Sequence, residues 1–233
     1  MQTTVPLPSG SLSAHLASPD REGPWPGVVV LHEAFGLNDD IRRIAGRFAA
    51  NGYLAVAPDL FSWASTPRCL VASFRDLLRR HGSTHERIDA TRGWLAAREE
   101  CTGRVGIVGF CMGGGFALLA APRGYAAASV NYGLVPKDAE PILAGACPIV
   151  ASYGAKDRTL RGHPARLRTA LETNGIDHDI KEYLDVSHSF MNEHQGWVAT
   201  LGRVGGFTHG PAQAEDAWNR TLAFFDRHLR RGA

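Results

Sequence analysis

The stretch Gly109-Phe110-Cys111-Met112-Gly113-Gly114 sets a thiol between two glycines, each two residues away. It follows an apolar run, Arg104 to Val108, and opens a run of small and apolar residues, Cys111 to Ala121. A strand that turns sharply into a helix demands this spacing, because positions two before and two after the apex come too close for side chains. The apex is lifted above the sheet and sits at a helix N-terminus, where the dipole favours a thiolate. The pattern is that of a nucleophile elbow with sulfur replacing the usual serine oxygen. The plainer reading is a buried cysteine in a tight turn. A dinucleotide site would need G-x-G-x-x-G and a phosphate loop Gly-Lys-Ser/Thr; the turn lacks the first and the chain lacks the second.

A thiol with a pKa near about 8.5 is mostly protonated at neutral pH, so a cysteine nucleophile needs a proton acceptor. His188, in Asp185-Val186-Ser187-His188-Ser189-Phe190, follows the run Asp179 to Leu184 and is the candidate base. Asp157, in Gly154-Ala155-Lys156-Asp157, follows the strand-like run ending at Tyr153 and is the candidate orienting acid. Nucleophile, acid, histidine is the chain order expected of an elbow enzyme. Asp185 is a rival acid, poorly placed to brace a histidine three residues away in the same loop. His188 could also be an ordinary loop histidine.

These side chains need strands that end together. Short apolar runs alternate with helical patterns: Val28 to His32, Tyr53 to Ala57, Arg104 to Val108, Ala126 to Asn131, Pro148 to Tyr153 and Asp179 to Leu184 read as strands. Ile41, Ile44, Ala45 and Phe48 share one helical face, with Asn38 or Asp39 as cap and Asn51-Gly52 as stop. Residues 84–98, 111–121, 164–174 and 212–229 read as further helices. The alternation predicts α/β architecture, a mostly parallel sheet covered on both faces, in one domain over 1–233. Ser62 to Gly82 and Gly196 to Pro211 fit it least and are expected to overlie one edge of the sheet's carboxyl end.

A hydrophobic fraction of 44% and a charged fraction of 21% describe an ordinary globular chain able to bury its own core. A formal charge of +2 argues against nucleic-acid or membrane partners. Met1 to Pro8 shows no leader pattern, and no run approaches a membrane span. Cys69, Cys101 and Cys147 read as small buried hydrophobes, and a reducing cytoplasm suits all four cysteines. His163, His178, His194 and His209 are scattered, so no metal site is expected.

Taken together, these residues make a chain that resembles the dienelactone hydrolase family, the cysteine-nucleophile branch of the α/β-hydrolase fold. The matching stretches are Leu31-His32-Glu33-Ala34-Phe35-Gly36-Leu37-Asn38, Ala57-Pro58-Asp59-Leu60-Phe61, the Cys111 elbow, and His188-Ser189-Phe190. The resemblance implies a triad of Cys111, His188 and Asp157. It also implies that Glu33 pairs with the thiol and helps form thiolate when substrate arrives. The oxyanion hole would be the backbone N–H groups of Ala34 and Met112. Family members acting on dienelactone grip its carboxylate with arginines. One of these follows His-Ser-Phe by two residues, where this chain has Asn192; the other falls after Pro-Asp-Leu, with Arg68 and Arg75 as candidates. A neutral amide cannot reproduce a guanidinium grip. Phe35, Trp63, Phe190 and Trp197 would line a more apolar pocket, or else belong to ordinary core. The expectation is a cofactor-free ester or lactone hydrolase, a monomer or weak dimer. The alternatives are acyl transfer on the same triad, or a non-catalytic ligand-binding member of the fold.

Overall fold

A computed structural model describes residues 1–8, 10–64, 66–193 and 209–230. Six parallel strands form its centre: β3 (Trp25–Leu31), β4 (Leu54–Pro58), β5 (Cys101–Phe110), β6 (Ala127–Asn131), β7 (Ile149–Gly154) and β8 (His178–Tyr183), in the order β4-β3-β5-β6-β7-β8. Val28, Val29, Val30 and Leu31 are all fully buried, as a strand covered on both faces requires. Two strands outside the expectation, β1 (Gln2–Leu7) and β2 (Gly10–Ala17), extend the sheet beyond β4 in antiparallel sense. The buried Leu12, Ala14 and Leu16 of β2 alternate with more exposed neighbours, the period of a half-buried strand.

Helices α1 (Asp39–Ala50), α2 (Thr66–Arg79), α3 (Ser83–Ala96), α4 (Met112–Ala120), α5 (Ala139–Ile142), α6 (His163–Thr173) and α7 (Pro211–Leu229) complete the described chain. Gly27 and Val105 are paired and Val28 is paired with Gly106, so the two pairs point to opposite faces. A Cβ on Gly27 would meet Leu95 of α3, whereas one on Gly106 would meet Leu229 and Phe225 of α7. The sheet is therefore covered on both sides. On the α7 side, Phe48 of α1 packs against Trp218 and Phe225. Asn38 caps α1 by accepting from the Ile41 N–H at 3.0 Å, and Asp39 and Asp40 suit the positive end of its dipole.

The segment expected to be irregular over Ser62 to Gly82 is mostly α2. Its inward face carries Cys69, Ala72, Ser73, Asp76 and Leu77, while Val71, Phe74 and Leu78 stand exposed. The helix is amphipathic, with Arg68, Arg75 and Arg79 on its exposed face, but its buried face includes the polar Ser73 and Asp76. The buried Asp76 caps α3, where Gly82 has no side chain to do so. It accepts from the N–H of Thr84 at 3.1 Å and from the Thr84 hydroxyl at 2.9 Å. Most of Gly196 to Pro211 lies outside the described residues. Among those described, no helix is long and apolar enough to cross a membrane.

One side chain of α7 bears directly on the site. Arg220 donates to the Asp179 carboxylate at 3.0 Å, the Asp179 carbonyl at 3.0 Å, the Ser152 hydroxyl at 3.2 Å and the Tyr183 hydroxyl at 3.3 Å. It thus ties β7 to β8, whose carboxyl-end loops carry Asp157 and His188. Removing one partner of so connected a charge strands the rest, so Arg220→Ala is expected to cost about 2–4 kcal/mol in urea unfolding. Arg220→Lys should recover only part of this, since an ammonium cannot make the fork.

Candidate active site

The elbow forms because nothing else fits. A Cβ on Gly109 would lie 2.0 Å from the Gly113 carbonyl oxygen, and one on Gly113 would lie 2.5 Å from the Leu31 carbonyl oxygen. Cys111, between them, adopts φ 53°, a conformation rare for a residue with a side chain. The end of β6 holds this turn in place. Asn131 accepts the Cys111 N–H on its carbonyl at 3.0 Å and donates its side-chain amide to the Gly109 carbonyl at 3.2 Å. The backbone N–H groups of Met112 and Ala34 interact with the Cys111 sulfur and favour its thiolate. Burial, followed by the nearby Glu33 carboxylate, outweighs them, and the thiol is pushed up to about 12. The resting group is a thiol.

His188 Nδ1 lies 2.6 Å from Asp157 Oδ2. Asp157 is almost completely buried, and its other oxygen accepts from the backbone N–H of Thr159 at 2.9 Å and from its hydroxyl at 2.6 Å. Burial raises the Asp157 carboxyl, but the hydrogen bonds from His188 and Thr159 prevail and hold it below its ordinary value. Asp185, the rival acid, is exposed at the surface.

Glu33 is buried in the loop that leaves β3, with Oε1 accepting the Ser189 hydroxyl at 2.7 Å. Desolvation drives its carboxyl up to about 8, against that hydrogen bond and with help from Asp40. A carboxyl poised there can take a proton near neutral pH. His32, fully buried beside it, accepts the Leu60 N–H on Nε2 at 3.1 Å and so presents its Nδ1 hydrogen to the Glu33 carbonyl at 2.6 Å. This fixes the loop that carries Glu33 and Ala34 to the end of β4. Sequence reasoning gave His32 and Ser189 no role of their own, although both lie inside the matching motifs.

The expected pocket residues scatter. Phe35 and Trp63 are exposed by 41% and 43%; the Trp63 indole donates to the Leu60 carbonyl and lies under Arg87. Arg68 and Arg75 are both on exposed positions of α2, Arg75 lying 3.7 Å from Asp76. Phe190 is fully buried against Tyr132 and Tyr183, a core placement. Asn192, expected at the pocket wall, is also buried, with its amide engaged by Tyr132 and Asp40. Trp197 falls outside the described residues. Cys69 and Cys101 are buried and Cys147 half-buried, all three as free thiols. Among the described residues no group of three metal-ligating side chains converges.

These environments set two expected outcomes. Glu33 shifts from 4.5 to about 8 on folding, so its contribution to stability is full below the unfolded value and is lost as pH rises through the folded one. Glu33→Gln cannot titrate, so its melting temperature should gain on the wild type progressively from about pH 5 to about pH 9. Thr159→Val removes one hydrogen bond to the Asp157 carboxylate, and the carboxyl titration followed by carbon-13 NMR should move to higher pH.

Comparison with known proteins bears on the family and the fold. The model of the "Dienelactone hydrolase family" matches residues 12–229. Protein usf of Aquifex pyrophilus is 30% identical over 232 residues, covering 92% of this chain and 93% of that protein. A Yersinia pestis protein named by inference as a carboxymethylenebutenolidase is 29% identical over 245 residues, covering 97% and 88%. A Klebsiella pneumoniae structure, named by inference as a dienelactone hydrolase, superposes with a TM-score of 0.80 at 27% identity, covering 97% of this chain and 98% of that one. The parallel sheet is that of the α/β-hydrolases, the chain is a hydrolase acting on ester bonds, and it belongs to the dienelactone hydrolase family.

Proposed function

We propose that this hydrolase opens carboxylic esters or lactones through a thioester on Cys111, with His188 as base, Asp157 as its orienting acid and Glu33 as a second proton acceptor. The observation that carries this reading is the 2.6 Å bond between His188 and Asp157, beside an elbow whose thiol is influenced by both Glu33 and Asp157. The thiol must lose its proton when substrate enters, because burial keeps it protonated at rest. His188 takes that proton, and Glu33 serves as a second acceptor in its ionised fraction, which grows as pH rises toward about 8. The thiolate attacks the carbonyl carbon, and the N–H groups of Ala34 and Met112 receive the negative charge that develops on oxygen. Collapse expels the alkoxide or enolate, which takes back the proton that the thiol gave up. Water activated by His188 then attacks the thioester and releases the acid. Asp157 holds the imidazole in the tautomer with hydrogen on Nδ1, leaving Nε2 to exchange protons.

No step requires a cofactor. The buried amide of Asn192 stands where relatives acting on dienelactone are expected to have a guanidinium, which favours substrates without a carboxylate to be gripped. The test is hydrolysis of an aryl acetate and of dienelactone by wild type and by Cys111→Ala. Turnover should fall by about 10⁴-fold or more in the variant, and the aryl acetate should be the better substrate. Equal turnover by wild type and variant would remove Cys111 from the chemistry.

A further inference from the structure

Behind the reacting groups runs a line of hydrogen bonds that the proposed chemistry does not use. Asp40, Asn192 and Tyr132 are exposed by only 8%, 1% and 1%. The Asn192 Nδ2 donates to Asp40 Oδ2 at 2.7 Å, and its Oδ1 accepts the Tyr132 hydroxyl. A carboxylate can only accept, so Asp40 dictates which way the amide faces and leaves its oxygen for Tyr132. The other Asp40 oxygen accepts from Arg43 at 2.6 Å, and Arg43 also reaches Glu193 at 3.1 Å. The far end of the line is the Tyr132 ring, whose centroid lies 5.2 Å from that of His188 at a tilt of 59°. Tyr132 holds φ 40°, an unfavourable value for an aromatic residue, and its N–H donates to the Ser152 carbonyl at 2.8 Å. Its neighbour Asn131 is the residue that accepts the Cys111 N–H.

Strained backbone persists only where its surroundings hold it. The hydroxyl of Tyr132 is the point at which the first turn of α1 can do so, and Asn192 is the connector. We propose that Asn192 is a positioning residue: it anchors Tyr132 to Asp40 and thereby fixes the wall against which His188 is set for proton transfer with Cys111. This rests on the Cys111–His188 reading above. Without the amide, the hydroxyl and the carboxylate lose their common partner, the ring is free to shift and the strained backbone that carries it to relax, and the imidazole loses its stop.

The test is steady-state hydrolysis of an aryl acetate by wild type, Asn192→Ala, Tyr132→Phe, the double variant and Cys111→Ala. Each of the first two substitutions should lower kcat by about tenfold. KM should stay within about a factor of two, since no substrate contact is removed. The double variant should be no slower than the slower single one, because both cut the same line. Tyr132→Phe keeps the ring and its packing, so it decides the matter even where Asn192→Ala folds poorly. Wild-type kcat in Tyr132→Phe, or losses that multiply in the double variant, would overturn the inference while leaving the triad standing. Turnover surviving in Cys111→Ala would bring down the triad and this inference together.

Discussion

A carbonyl oxygen and a hypothetical Cβ only 2.0 Å apart at Gly109 mean that two stretches of backbone there touch with nothing between them. That contact lets β5 turn into α4 within one residue and puts Cys111 at its positive φ of 53°. The same closeness recurs around the turn. Gly114 and Gly133 exclude each other's Cβ, so the segment after β6 lies flat on the helix and can offer the Asn131 carbonyl to the Cys111 N–H. The loop after β3 presses against Gly113 from the other side and brings Ala34 and Glu33 with it. Three loops thus converge because glycine backbones leave no room for them to do otherwise.

The electrostatic character of the centre follows from that crowding. A sulfur in such a place is desolvated and sits near two carboxylates, so its anion is disfavoured until the environment changes. Glu33 is disfavoured as an anion for the same reason. Asp157 escapes because His188 and Thr159 supply hydrogen bonds to its charge. Nearby acidic groups are thereby pushed in opposite directions: Glu33 holds its proton toward neutral pH, while Asp157 is favoured as the anion.

Much of this is legible in the sequence because it is local or periodic. The buried strands, the amphipathic α1 and the glycine spacing around Cys111 each carry a direct physical signature, and the order of Asp157 and His188 follows from the strand order. The hairpin β1–β2 is also written in the alternation of Leu12, Ala14 and Leu16, but polar Ser11, Ser13 and His15 interrupt it, so β2 lacks the unbroken apolar run that marks β3. α2 carries a helical pattern too, since its buried positions 69, 72, 73, 76 and 77 recur at helical spacing, but two of them, Ser73 and Asp76, are polar and serve α3. Asp40 and Asn192 lie 152 positions apart and meet only through the folded sheet, so no spacing announces their bond. A lone asparagine two residues after a motif reads as a change in the pocket. Its burial is a property of three dimensions.

The two ends of the sheet bear on how copies of the chain meet one another. Among the described residues β8 pairs only with β7, and its other side runs through Lys181 and Glu182, both exposed, with the partly exposed His178 and Asp179 before them. At the opposite end, β1 carries the exposed Pro6, which has no N–H to offer an incoming strand. An open eight-stranded sheet would otherwise present two templates for strand-by-strand growth. Charged side chains along one border, and a missing donor at the other, make such stacking unfavourable, so the sheet can stay open-ended at high concentration without propagating from molecule to molecule.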